Sequence, residues 1–431
     1  MQHVLIMLAI FLVLVLLKVP IAYAMGASAF FTIFRLGINP ITAINSMFAS
    51  VNTYSMLAVP LFMLLGQLMN YGGITERLEK FCRAVIGHVR GGLGYVNVLE
   101  SMLFAGLSGS AIADTAGIGA VMIPTMKRAG YDAPYSVAIT CCSSTLGVII
   151  PPSVLMVVYG AMGGVSIGAL FAAGIIPGIL IGGFQMIYTY QRAKKYDYPV
   201  EKKSTPKEAA VATWKAIPVL VIPLVILGGT TSGLFTATES AAVACFVTIV
   251  LMFVVYRHYN LKSIPGLLIK TAEDVSLGMF AVACAGIIAW LIAYLGAADQ
   301  IVAALLKVST SRFWIYGFLT VFLLILGTFL SPMTAILVFM PIYQRLASAG
   351  GINPVHMGII VNLLLSIGMV TPPYGSCLLL ATRIGEIELT ESSKACLPII
   401  GVTLIAIWIG IIFPDIFFFL PKMMMPTAFA G

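Results

Sequence analysis

"SSTLGVIIPPS", Ser143–Ser153, sets two adjacent prolines, a glycine and four hydroxyl side chains inside a chain otherwise suited to hydrocarbon. Pro151 and Pro152 remove two backbone donors and disfavour helix at the residue before each, while Gly147 permits dihedrals that other residues avoid. The stretch is therefore committed to unwinding. In a bilayer an unsatisfied backbone group is costly, so irregular backbone is tolerated only where it is buried in protein or lines a wet cavity. A helix that stops halfway frees carbonyl oxygens at one end of the break, which suit small cations, and N–H groups at the other, which suit anions. The same chemistry recurs in "SIGMVTPPYGS", Ser366–Ser376, around Pro372 and Pro373.

Composition fixes the surroundings of these breaks. Of 431 residues 60% are hydrophobic and only 9% charged, against about a quarter charged in an ordinary globular domain; the mean hydropathy is +1.04. Continuous apolar stretches able to cross a core of about 30 Å recur along the whole length, which predicts an all-α polytopic membrane protein and excludes a barrel. The first apolar run reads as a helix and not as a leader ending at Ala22-Tyr23-Ala24, since Met1-Gln2-His3 holds no Lys or Arg. The formal charge of +8 reports orientation in such a chain, and no nucleic-acid partner is expected. Seven cysteines without zinc spacing read as small apolar filler. His3, His88, His258 and His356 fall at expected helix ends or interfaces, with no HExxH. No GxxxxGK[ST] loop is present to cradle ATP, and no catalytic pair stands at membrane depth, so the chain is not expected to be an enzyme.

One long polar stretch, Gln191–Lys215, carries seven Lys/Arg against three Asp/Glu and reads as a cytoplasmic loop. The halves on either side share punctuation. Pro124, "AGYDAP" (Ala129–Pro134) and Pro151-Pro152 return as Pro341, "AGGINP" (Ala349–Pro354) and Pro372-Pro373. "KVPIAYAMGASA" (Lys18–Ala29) and "TATESAAVA" (Thr236–Ala244) each open a helix after a tight connection. In the first half, spans are expected near 4–18, 21–36 and 46–70, then an interfacial amphipathic helix 74–88, a re-entrant hairpin 91–128, a broken span 132–162 and a span 166–190. In the second half they are expected near 215–230, 238–256 and 273–295, then an amphipathic connector, a hairpin 312–348, a broken span 354–383 and a last span 395–413. An odd number of spans in each half makes the second an inverted-topology repeat of the first, with about ten spans, two hairpins and an outside N-terminus. Arg257 and His258 then fall inside as the positive-inside rule requires, whereas Lys307, Arg312 and Arg345 fall outside.

The hairpin tips, "GLSGSAIADTAG" (Gly106–Gly117) and "GTFLSPMT" (Gly327–Thr334), are rich in small and hydroxyl residues. Each is expected to meet the broken helix of its own half, forming two oxygen-rich pockets whose hard neutral ligands suit Na⁺. Asp114 is open to two readings, an intramembrane functional acid or a cap for a helix 115–128. Glu239 reads as a cap near the outer interface, and Phe417–Phe419 with Met423–Met425 as an interfacial tail.

The stretch from Gly106 to Gly160, with "VPIAYAMG" (Val19–Gly26), "LAVPLFMLLGQLMNYGGI" (Leu57–Ile74), "GLFTATESAAVA" (Gly233–Ala244) and "TPPYGSCLLLATRIG" (Thr371–Gly385), resembles the large (M) membrane subunit of tripartite ATP-independent periplasmic (TRAP) transporters. The resemblance covers nearly the whole chain. It implies a bacterial inner-membrane secondary transporter that works with a small four-helix membrane subunit and a soluble periplasmic substrate-binding protein. It implies uptake of an organic acid, such as a C4-dicarboxylate, sialic acid or another sugar or keto acid, driven by Na⁺ as the coupling ion, with no other cofactor. It also implies an elevator, in which a transport domain (91–165 and 312–390) slides against a scaffold (1–90, 166–272 with the basic loop 191–215, and 273–311), with 391–431 as last helix and tail. One Na⁺ site falls on Ser108, Gly109, Ser110, Ser144, Thr145 and Gly147, the other on Thr328, Ser331, Thr334, Ser366, Gly368 and Thr371. Substrate is expected between the tips, near Ser110, Asp114, Ser143, Ser153 and Ser376. A stand-alone Na⁺/dicarboxylate symporter or exchanger of similar design is the alternative.

Overall fold

The computed structural model describes residues 2–256 and 264–426, and every regular element among them is helical. The first half runs α1 (Gln2–Leu16), α2 (Ile21–Arg35), α3 (Pro40–Val51), α4 (Ala58–Tyr71), α5 (Ile74–Ile86), α6 (Gly92–Ser108), α7 (Ala111–Arg128), α8 (Ala133–Ser144), α9 (Val154–Gly163) and α10 (Ile167–Tyr196). The second runs α11 (Pro206–Thr231), α12 (Ala237–Val250, prolonged by a wide turn Leu251–Val255), α13 (Ile264–Tyr294), α14 (Ala297–Leu306), α15 (Arg312–Phe329), α16 (Pro332–Ala349), α17 (Pro354–Gly368), α18 (Ser376–Gly385), α19 (Leu389–Ile412) and α20 (Pro414–Met424). With α3/α4, α8/α9 and α17/α18 each taken as one pass, the hairpins α6–α7 and α15–α16 as none and α5, α14 and α20 left out, each half offers five passes among the described residues. By length and composition alone six helices qualify as spans, α15 included, or seven with the bent pair α3/α4. An odd count inverts the second half. Arg257 and His258 lie outside the described residues.

The repeated punctuation turns out to be paired helix signals. Asp132 and Asn353 cap α8 and α17 by accepting from Tyr135 N (3.2 Å) and Val355 N (2.9 Å), each with proline in the first turn. Gly130 and Gly351, at φ +93° and +58°, make the preceding reversals that a side chain would resist. Thr205 with Glu208 and Thr236 with Glu239 form capping boxes on α11 and α12. Glu239 is thus a cap, and at Glu208 the Thr205 N–H and hydroxyl hold the carboxyl below its usual range. Asp132 also receives Arg192 (2.7 Å) and the Tyr198 hydroxyl, tying α8 to the end of α10. Asp132→Ala is expected to lower stability by about 1–2 kcal/mol, read as a lower unfolding midpoint in detergent, with Asp132→Asn retaining the cap and most of the loss recovered.

Three expectations change. The span 46–70 is two helices meeting at 60°, because Asn52 ends α3 and Thr53 is extended (φ −122°, ψ 144°) before a tight turn Tyr54–Leu57 leads into α4. Its counterpart α13 is continuous over 31 residues. The tail is helical, and Phe417 and Phe418 are buried while Phe419 and Met423 are exposed. His356 stands at a helix end, in the first turn of α17, but away from any open surface. It is buried between the Tyr316 hydroxyl and Gly410 O (3.1 Å). In addition, α1 and α2, at 15 residues each, are about 22 Å long at 1.5 Å per residue and shorter than the hydrocarbon core.

The halves interlock. Helix α7 packs on α18 of the other half, with Lys127 Nζ donating to Gly385 O (2.9 Å), and α16 packs on α9, with Gln344 Nε2 donating to Gly163 O (3.0 Å). Helices α10 and α19 lie against each other and against α8 and α17 at the centre of this assembly.

Candidate ion and substrate site

Hairpin α6–α7 turns at Ser108-Gly109-Ser110, with Gly109 at φ +63° and Ser110 extended. Ser110 caps α7 by accepting from Ala113 N (3.4 Å), and Ser110 N donates to Ser108 Oγ (3.2 Å). Since α7 begins at Ala111 and Ser110 is its cap, the capping role offered to Asp114 is taken. Asp114 instead lies in the first turn, fully buried, where the helix dipole favours negative charge. Ser108 Oγ donates to its Oδ1, and Oδ2 has no hydrogen-bond partner among the described residues. That orphaned oxygen faces Gly147. A Cβ on Gly147 would lie 2.9 Å from the Asp114 carboxyl carbon and 3.3 Å from Ala111 N.

The broken helix supplies the facing wall. Helix α8 ends at Ser144, a tight turn covers Thr145–Val148, and α9 restarts after Ser153, whose Oγ donates to Val148 O (2.7 Å) and accepts from Met156 N (3.4 Å). Both Pro151-Pro152 and Pro372-Pro373 bonds are cis. The tip sits on the break: a Cβ on Gly109 would be 3.0 Å from Pro152 O. Ser144 and Thr145 donate their hydroxyl protons back to Thr140 O and Cys142 O, both 2.7 Å. Such back-bonding is common in helices and leaves a lone pair free on each hydroxyl oxygen. Ser108, Gly109, Ser110, Asp114 and Gly147 are thus brought to one place, with Ser144 and Thr145 on the turn that leads into Gly147.

Ser143 does not join them. Its Oγ points between α6 and α8, bonded to Asn97 Oδ1 (2.9 Å) and Ser101 Oγ (2.8 Å). Successive helix residues diverge by about 100°, so Ser143 and Ser144 serve different neighbours. Asn97 and Ser101, with Gln185 Nε2 donating to Cys142 O (3.2 Å), hold α8 in place and were not singled out in the sequence. Their signal there is polar residues on otherwise apolar helices.

The second hairpin is built alike with less charge. Ser331 caps α16, accepting from Thr334 N (3.2 Å) and sharing a 2.7 Å bond with Thr334 Oγ1. Thr328, Ser366 and Thr371 donate to Ile325 O, Leu363 O and Ile367 O at 2.7 to 2.8 Å. Gly327 and Gly368 cross backbone on backbone: a Cβ on Gly368 would stand 2.6 Å from Gly327 Cα. Counting from the caps Ser110 and Ser331, Ala335 occupies the place of Asp114, so this site is neutral. Across the break, Met369 O accepts from Cys377 N (3.0 Å), and Ser376 is exposed at the first turn of α18.

Residues 8–416 match the family model described as tripartite ATP-independent periplasmic transporter, DctM component. The chain is 35% identical over 383 residues to the sialic acid TRAP transporter large permease protein SiaM of Vibrio cholerae, covering 89% of this chain and 90% of that one. It is 35% identical over 376 residues to the C4-dicarboxylate TRAP transporter large permease protein DctM of Pseudomonas aeruginosa, with 87% and 88% covered. An isethionate TRAP transporter permease protein, DctMQ of Oleidesulfovibrio alaskensis, is 33% identical over 98% of this chain, which spans 65% of that longer protein. Among solved structures, Neisseria gonorrhoeae MtrF superposes with a TM-score of 0.60 at 12% identity over 87% of this chain and 83% of that one. The Alcanivorax borkumensis YdaH transporter gives 0.59 at 15% over 93% and 97%. At such identities these two share the fold alone.

Proposed function

Because the chain belongs to the DctM family of tripartite ATP-independent periplasmic transporters, a multi-pass protein of the bacterial inner membrane, we propose that it is the large membrane subunit of a Na⁺-coupled organic-acid importer. It would act with a small four-helix membrane subunit and a soluble periplasmic substrate-binding protein. The DctMQ relative, longer than this chain and carrying both letters in its name, supports the first pairing.

The observation that carries the reading is the unpartnered Asp114 Oδ2 against the bare backbone of Gly147. A buried carboxylate oxygen without a donor calls for a proton, a water or a cation, and the hydroxyls and freed carbonyls of the hairpin turn and the broken helix favour the cation. Na⁺ is here a transported ion, held by Asp114, by Ser108, Ser110, Ser144 and Thr145, and by carbonyls freed at the turn after α8. A second Na⁺ takes the neutral site of Thr328, Ser331, Thr334, Ser366, Gly368 and Thr371. The substrate carboxylate is met by the N-terminal ends of α9 and α18, where Ser153 and Ser376 stand. The SiaM and DctM relatives support a sialic acid or a C4-dicarboxylate as the substrate class. Alternating access follows an elevator, with both hairpins and both broken helices as the moving body.

The test is uptake of labelled succinate and sialic acid into liposomes holding this chain and its small subunit, with and without a Na⁺ gradient and the binding protein. Uptake that needs both supports the proposal. Uptake driven by Na⁺ alone makes the chain a self-sufficient carrier. Thr145→Val and Thr371→Val each remove one hydroxyl ligand and are expected to raise the half-activating Na⁺ concentration several-fold in folded protein; unchanged Na⁺ activation in both would remove the ligand assignment.

A further inference from the structure

Away from the hairpins, α5 and α11 enclose a pocket of about 920 Å³. Five basic side chains line it, Arg77, Lys80 and Arg83 from α5 and Lys207 and Lys215 from α11, against two acids, Glu76 and Glu208. Several of these are already committed. Arg83 pairs with Glu79 (3.1 Å) and with Glu201. Arg77 donates to Gly72 O and Gly73 O and lies 3.9 Å over the Tyr256 ring. Glu208 is held by the Thr205 cap. Lys80, Lys207 and Lys215 remain, all exposed and with no acidic partner among the described residues. Three free ammonium groups therefore face one uncommitted carboxylate, Glu76.

What continues below the pocket identifies the occupant. Only 22% of the apolar window of α11 is buried. Val211, Trp214, Ile217, Val221 and Leu224 are exposed along it at spacings of three or four, one stripe running from the pocket into the hydrocarbon. Trp214, at the mouth and 77% exposed, is of the type that settles at the membrane interface. A soluble anion would use the lysines and leave the stripe bare. A lipid with a charged head and acyl tails uses both.

We propose that this pocket is a binding site for an anionic diacyl phospholipid, its phosphodiester among Lys80, Lys207 and Lys215 and its acyl chains along the exposed face of α11. The basic loop that marks this side as cytoplasmic places the pocket at headgroup depth. The site stands apart from the ion and substrate residues, so its failure would leave the transport proposal untouched.

The experiment uses the purified full chain, exchanged into lipid-free detergent and titrated with cardiolipin, phosphatidylglycerol, phosphatidylcholine or inorganic phosphate. Retained lipid is read by native mass spectrometry and stability by thermal unfolding. Cardiolipin and phosphatidylglycerol are expected to stay bound and raise the unfolding midpoint, with phosphatidylcholine and phosphate inert. The triple variant Lys80→Gln/Lys207→Gln/Lys215→Gln is expected to bind on the order of 100-fold more weakly, each lysine near an anionic surface contributing about a decade or less, and arginine at the three positions is expected to restore binding. Equal retention of phosphatidylcholine, an unaffected triple variant, or protection by phosphate alone would each overturn the proposal. So would loss of the bound lipid when the small subunit is co-purified, which would make the pocket a subunit contact.

Discussion

Asp114→Asn is expected to leave the protein folded and raise the Na⁺ concentration for half-maximal uptake at least tenfold. The amide matches the carboxylate in size, and its oxygen still accepts from Ser108, so packing at the hairpin turn survives. The charge is lost. Opposite unit charges about 4 Å apart are worth about 4 kcal/mol at an effective dielectric near 20; even a third of that is a factor of ten in affinity. The check is Na⁺-dependent thermal stabilisation of the purified variant beside Na⁺ titration of uptake, since loss of both isolates ion binding from later steps. Wild-type Na⁺ dependence in both assays would remove Asp114 from the site. The neutral second site has no acid to lose, so charge-removing substitution has this leverage in one half only.

Gly368→Ala is expected to cost about 3 kcal/mol or more in stability, enough to remove most folded protein from the membrane. Its Cβ would meet Gly327 Cα at 2.6 Å, Gly327 C at 2.9 Å and Gly327 O at 3.1 Å, all backbone, so no rotamer change relieves the clash. Gly327→Ala meets Gly368 Cα at 2.9 Å and should behave alike. Gly183→Ala in α10, with nothing within 4 Å of the added carbon, is the control and should be neutral or slightly stabilising. Fluorescence-detected size exclusion after a temperature ramp separates the three. A wild-type midpoint for Gly368→Ala would mean that α15 and α17 do not cross this closely.

Much of this architecture is legible in the sequence because its signals are local. Pro-Pro after glycine forbids a helix without reference to any partner, and "AGYDAP" and "AGGINP" each hold a reversal glycine and a cap beside a proline. What the sequence hides depends on rotation and distance. Ser143 and Ser144 are equivalent in composition, and only the azimuth of α8 sends one to Asn97. The orphaned oxygen of Asp114 becomes visible once Ser110 is seen to cap α7. The bend between α3 and α4 falls on a short polar step, Asn52 to Ser55, between two apolar runs, and a step of that length breaks a span or passes inside one with no difference in periodicity. His356 looks peripheral by position in its helix and is enclosed because α20 folds back over it, a contact between segments about 60 residues apart (356 to 417).

The crossed packing of α7 on α18 and of α16 on α9 bears on how the two proposed sites would be linked during transport. Neither hairpin can be displaced alone without stripping its limb from the opposite half and breaking the Lys127–Gly385 and Gln344–Gly163 bonds. In the elevator proposed above, the charged and the neutral pocket would therefore travel as one block. On that proposal neither pocket could make a half-stroke by itself, and the loading of both would be expressed in a single movement of the two clasped halves.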